Sequence, residues 1–261
     1  MQPQREQKPW YRIGNPTMRE DRFTNCGIMA GDSADPMTMN GVIAKTGLLL
    51  MMTFATGAVG WLFPSMPLVI LTALVAFGTA IFVSFKPDYS HIGGPIYALF
   101  KGYALGAISV LYASMFANDK TWSGIVPLAL GGTMVVFTLM LALYRTRVIK
   151  VTETFKGAVI GATLAIFLFY AFVFFGGMFF PGLSDMGVFK SGPIGIIFSI
   201  VVIGIAALNL ALDFDLIERG IESKAPRKME WYAGFALLVT LAWLYLEILR
   251  LLAKIAGNSR R

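Results

Sequence analysis

Charge is scarce in this sequence. Only 14 % of its 261 residues are Asp, Glu, Lys or Arg, against about 25 % in soluble domains, so a water-facing surface cannot be covered in the usual way. There is one histidine and one cysteine. A zinc hydrolase needs several His or Cys ligands, and an internal disulfide needs two cysteines, so both are excluded. Cys26 is read as a small thiol in a tail, and His91, beside Gly93, Gly94 and Pro95, as a structural residue. No continuous apolar stretch occurs in the first 40 residues, so no cleavable signal peptide is expected and the first span serves as its own insertion signal. The Gly-x-Gly-Asp pattern of intramembrane aspartyl proteases is missing, as are a Ser-centred elbow and a phosphate loop. A retinal protein needs a lysine in the middle of its last helix, and Lys254 lies at the end of that run. Neither an enzyme nor a cofactor is expected. Basic residues are not interleaved with aromatics on one surface, so the net charge of +7 speaks for topology and anionic lipid rather than nucleic acid.

What is abundant is apolar sequence, 56 % of the chain. Residues 1–40 are polar and rich in Gly and Pro, and are expected to form a largely disordered tail, with a lipid contact open to Trp10, Tyr11 and Phe23. Residues 41–261 hold seven apolar runs, 43–63, 66–85, 96–116, 125–144, 157–180, 193–217 and 230–253. Each is close to the roughly 20 residues needed to cross about 30 Å of hydrocarbon. The expected fold is therefore an all-α membrane protein, a seven-helix bundle in which short loops make successive helices antiparallel. Gly102/Gly106 and Gly157/Gly161 are expected to allow close helix packing. The loops alternate in charge. Arg145, Arg147, Lys150 and Lys156 lie in one, Arg219, Lys224, Arg227 and Lys228 in another, and few basic residues lie in the loops between. By the positive-inside rule this multi-pass protein keeps its N-terminus in the cytoplasm. Seven spans put the C-terminus outside, and the basic tail of Lys254, Arg260 and Arg261 leaves a re-entrant last segment open.

A carboxylate in hydrocarbon costs roughly 2.5–3.5 kcal/mol, so acids in such runs point to function. Asp213, Asp215 and Glu218 end the sixth run, and Glu247 lies in the seventh. On a helix Asp213 shares a face with Asn209, while Asp215 lies about 200° away and suits an i,i+4 pair with Arg219. Solvated helix-end charges and an inward acid cluster binding cations or protons are both open. Glu247 sits about 25 Å along the last helix, with Arg250 three residues on. That pair could snorkel to the far interface instead. Lys101, in the third run, either snorkels or serves as counter-charge to the acids.

Phe214-Asp215-Leu216-Ile217, Leu244-Tyr245-Leu246-Glu247, Tyr144-Arg145-Thr146, Asn15-Pro16-Thr17-Met18 and Met229-Glu230-Trp231-Tyr232 resemble blocks of the Bax inhibitor-1 (YccA-like) family, in its bacterial branch with a long polar N-terminus. The resemblance covers about 43–254. It implies a seven-helix bundle with a central last helix in the bacterial inner (plasma) membrane, and a pH-sensitive calcium leak. It further implies a gate of two acids sharing a proton, here Asp215 and Glu247, which would also form a transient calcium site, with Lys86 the nearest basic latch. The chain departs from the pattern in having Glu as the second acid, 32 residues after the first. By depth, Glu230 is better placed than Glu247 to meet Asp215. Two functions are thus carried forward: a cation leak or proton-coupled exchanger gated by these acids, and a non-transporting regulator that binds other membrane proteins such as a membrane protease.

Overall fold

The computed structural model describes residues 35–119, 121–180, 188 and 190–259, with only the backbone of 174, 175, 178 and 179. The tail to residue 34, with Cys26 and the aromatic lipid contact expected there, lies outside the described residues. Among the described residues seven helices follow one another: α1 (Met39–Leu62), α2 (Met66–Phe85), α3 (Ser90–Met115), α4 (Ile125–Arg145), α5 (Glu153–Phe179), α6 (Pro193–Glu222) and α7 (Met229–Ser259). All seven are long and apolar enough to cross a membrane, so this is a multi-pass, all-α membrane protein.

Local chemistry sets the helix limits. Thr38 caps α1 by accepting from the Gly41 amide at 3.0 Å, and Thr152 caps α5 by accepting from Phe155 at 3.2 Å. Each thus satisfies one orphan amide of a helix start. Pro67 lies in the first turn of α2 and Pro193 opens α6, where a missing N–H costs nothing. Inside the spans the buried hydroxyls of Thr46, Thr53 and Thr133 return to the carbonyl four residues back, at 2.8, 2.9 and 2.7 Å, so none of these three is left unpaired in hydrocarbon. The residues at 35–40, which the sequence groups with the tail, belong to the helical unit. Met37 is buried, its amide donates to Ala225 O at 2.7 Å, and Pro36 bridges Pro226.

α7 is the centre of the bundle. In its most apolar 18-residue stretch 67 % of residues are buried, against 11 % in α5. It packs against α1, α3, α4 and α6, with Phe235 edge-on to Tyr97 of α3 at 5.1 Å. It runs unbroken for 31 residues, about 46 Å, so it traverses the bundle and is not re-entrant. α5 is the opposite case, packing chiefly on α6. Residues 35–38, 86–89, 146–152 and 223–228 come together at one end, where Lys228 pairs with Asp88 and Arg227 with Asp35 at 2.5 Å. This is the basic end.

Only one of the two glycine pairs is used for packing. A Cβ on Gly102 would strike Thr53 and Thr56 of α1, and one on Gly106 would strike the Gly57 backbone. Gly157 and Gly161, expected to do the same on α5, face open space, because α5 meets the bundle on another face. Gly106→Ala should lower stability by about 1–3 kcal/mol through overpacking, while Gly161→Ala should be neutral or raise it by up to about 1 kcal/mol. Thermal unfolding in detergent compares them. Equal behaviour would mean that α1 and α3 do not approach this closely.

Candidate functional site

α5 is apolar except along one line. Lys156, Thr163 and Tyr170 are spaced by seven residues, so they share a face at steps of about 10 Å. Each meets a polar group of α6 or α7. At the basic end Lys156 Nζ lies 3.2 Å from Asp215 Oδ2, and Arg219 Nε lies 2.9 Å from the same oxygen. Both cations also face Glu153, at 3.2 and 3.9 Å. At mid-depth Asn209 Nδ2 donates to Thr163 Oγ1 at 2.7 Å and to Ile205 O at 2.8 Å. Deepest, Tyr170 OH donates to Glu247 at 3.3 Å, and Arg250 Nη1 donates to Glu247 Oε1 at 2.8 Å and to Tyr170 OH at 2.9 Å. Trp243 Nε1 adds a 3.3 Å bond to Glu247. The least buried helix is thus tied to its neighbours by a polar seam.

Asp213 turns the other way. It is 0 % exposed, and its Oδ2 accepts from Thr240 Oγ1 of α7 at 2.6 Å. The division of this stretch into two faces therefore holds, with Asp215 bound to Arg219 on one and Asp213 on the other. Asn209 and Asp213 lie only about 40° apart round α6, yet they bond to different helices.

Whether Asp215 meets Glu230 or Glu247 has a third answer: it meets neither. Glu247 is seven residues past Thr240, about 10 Å further from the basic end, and Asp215 is about 3 Å nearer to it than Asp213. The Asp215 and Glu247 carboxylates are therefore separated by about 13 Å along the helices. One calcium ion holds its oxygens at about 2.3–2.6 Å, so these two acids do not share it in this structure. Among the described residues no group of three His, Cys, Asp or Glu is placed to hold a metal.

Glu230, about 12 Å from Asp215 by the same measure, belongs to a separate junction. Its Oε1 accepts from the amide and hydroxyl of Thr38 at 3.1 and 3.0 Å, and its Oε2 lies 4.0 Å from Arg227 Nε. It is 1 % exposed and rests on Gly41, where any Cβ would collide with its carboxylate. Glu218 accepts from Tyr144 and pairs with Arg147 at 2.6 Å. Outside the spans, hydrogen bonds to Glu218 and to Asp35 push the Arg147 and Arg227 guanidiniums further above their ordinary value, so both stay charged.

The basic candidates divide. Arg219 is in the site. Lys86 is exposed and lies 6.0 Å from the Tyr89 ring, at the end of α2 rather than beside the acids. Lys101 is half-buried on α3, which packs on α1, α2 and α7, and it forms no ion pair with the acids of α6 and α7. The lysine beside Asp215 is Lys156. By sequence Lys156 reads as a loop charge, although its heptad spacing from Thr163 and Tyr170 puts it on their helix face.

A family model described as Bax inhibitor 1 like matches residues 3–257. Comparison with curated proteins and with solved structures returned no match.

Proposed function

We propose that this chain, which belongs to the Bax inhibitor 1 like family, is a pH-responsive cation leak for calcium, or a proton-coupled exchanger, in which α5 is the gate. The observation that carries this reading is the seam of Lys156, Thr163 and Tyr170 over Asp215, Asn209 and Glu247. α5 has little apolar burial to hold it, so the polar ties set its position. A proton on Asp215 removes the charge that retains Lys156, and one on Glu247 weakens the acceptor that holds Tyr170, so α5 is free to shift. The exposed carboxylates then lie in series, Asp215 near the basic end and Glu247 about 13 Å beyond along the helices, as successive weak cation sites rather than one paired site. Multi-site, weak binding is what conduction requires. The concentration of basic residues at the end holding 35–38, 86–89, 146–152 and 223–228 supports a cytoplasmic N-terminus in an inner (plasma) membrane.

The test is calcium uptake by liposomes holding the full chain. Wild type should exceed empty liposomes. Asp215→Asn and Glu247→Gln should each displace the pH profile and change neutral-pH flux by about tenfold, the equivalent of roughly 1.4 kcal/mol. An imposed pH gradient that drives calcium uphill would select the exchanger. Flux at background in all three proteins would remove the leak and favour a regulator of other membrane proteins.

A further inference from the structure

α1 packs on α3 and α7, and α4 packs on α6 and α7. Between α1 and α4 a cleft of about 630 Å³ is left open to the side, floored by Phe214, Ile217 and Leu237. That volume is in the range of small-molecule sites. Its walls are apolar, and Ile43 and Leu141 on its edges are strongly exposed, so in a bilayer the opening faces acyl chains. Its mouth is at the basic end, between Met39, the first residue of α1, and Arg145, the last of α4. Depth and chemistry therefore match a lipid standing upright: hydrocarbon inside, headgroup at the rim.

The rim carries two guanidiniums and one carboxylate, a net positive charge. Arg145, Arg147 and Glu218 line it. Glu218 is already engaged by Arg147 and Tyr144, which leaves the exposed Arg145 guanidinium, with no ion pair among the described residues, as the net positive charge. Glu222, one turn further along α6, is exposed and within electrostatic reach of Arg147. Arg147 adopts φ 58°, a left-handed conformation costing a non-glycine residue about 1–2 kcal/mol. It stacks on the Tyr144 ring at 5.7 Å. Strained positions of this kind collect at ligand sites.

We propose that the α1–α4 cleft binds one anionic phospholipid of the leaflet at the basic end, its phosphate on Arg145 and one acyl chain along Gly47 and Phe214. An acyl chain gains little by leaving bilayer hydrocarbon for an apolar groove, so headgroup charge decides the selectivity. One arginine near an anionic headgroup corresponds to about a fivefold preference.

Native mass spectrometry of the full chain, released from detergent with equal phosphatidylglycerol and phosphatidylcholine, measures that ratio. Wild type should retain phosphatidylglycerol about fivefold over phosphatidylcholine. Arg145→Gln, an exposed position, should bring the ratio near one. Gly47→Phe should do the same, since Gly47 lines the groove and a Cβ there meets open space, so the ring takes up groove volume. Glycerol phosphate at equal concentration should not displace the bound lipid. Equal retention of both lipids by wild type, or an unchanged ratio in Arg145→Gln or in Gly47→Phe, overturns the proposal. Displacement by glycerol phosphate also overturns it, by reducing the site to a free-phosphate contact.

Discussion

Arg250→Met is expected to destabilise the detergent-solubilised protein by about 3 kcal/mol, the lower end of the cost of breaking a buried ion pair, because Glu247 is buried while the Arg250 side chain is 34 % exposed. Glu247 is 1 % exposed, twelve residues from the last residue of α7 and thus about 18 Å from that end of the bundle. Its strongest bond is the 2.8 Å contact from Arg250, with Trp243 at 3.3 Å and Tyr170 at 3.3 and 3.4 Å as weaker donors. Without the arginine a carboxylate is left in low dielectric with only neutral donors. The double variant Glu247→Gln/Arg250→Met should recover most of the loss, because replacing both charges removes the desolvation cost together with the attraction. Chemical unfolding of the four proteins in one detergent provides the cycle. If Arg250→Met stays within about 1 kcal/mol of wild type, the pair is not what neutralises Glu247.

Lys156→Gln should open the leak. The Lys156 and Asp215 side chains are 13 % and 12 % exposed, whereas Arg219 is 40 % exposed. Arg219 sits on the same helix as Asp215 and faces α5 at Glu153, 3.9 Å away, whereas Lys156 crosses from α5 to Asp215 at 3.2 Å, so the lysine carries more of the tie between α5 and α6. Loss of a coupling worth about 1–3 kcal/mol corresponds to roughly 5–150-fold in a two-state equilibrium. Calcium flux at neutral pH should therefore rise about tenfold in Lys156→Gln, and further in Lys156→Gln/Arg219→Gln. Acidification should add less flux to either variant than to wild type, since the charge that a proton would cancel has already lost its partner. A variant that leaks at the wild-type rate and keeps the wild-type pH profile would show that the seam does not hold the gate.

The two expectations differ in how far the residues announced them. The Glu247–Arg250 pair follows from spacing: residues three apart on a helix can meet, and the structure brings them together. The Lys156–Asp215 tie joins residues 59 positions apart by number. Local periodicity carries no information about which side of α6 faces α5, so the lysine that meets Asp215 is not legible in the sequence.

By itself the sequence determined the class and the count. Scarce charge, seven apolar runs and the charge of their loops leave an α-helical bundle as the consistent arrangement, since each backbone amide in hydrocarbon must be satisfied within its own segment. The spans drawn from hydropathy agree with the helices to within six residues at each end, and Asp215–Arg219 follows from i,i+4 geometry alone. Tertiary structure decided which polar groups meet. Depth along antiparallel helices keeps Asp215, Glu230 and Glu247 apart, and the rotation of α6 gives Asp213 to α7 and Asp215 to α5. It also decided which glycines matter. Gly41 and Gly106 are distinguished from Gly157 and Gly161 only by the neighbour that occupies the missing Cβ. Helix formation is a property of the residues within a segment, whereas contacts between segments depend on relative translation and rotation, which are fixed by the packing of the whole bundle.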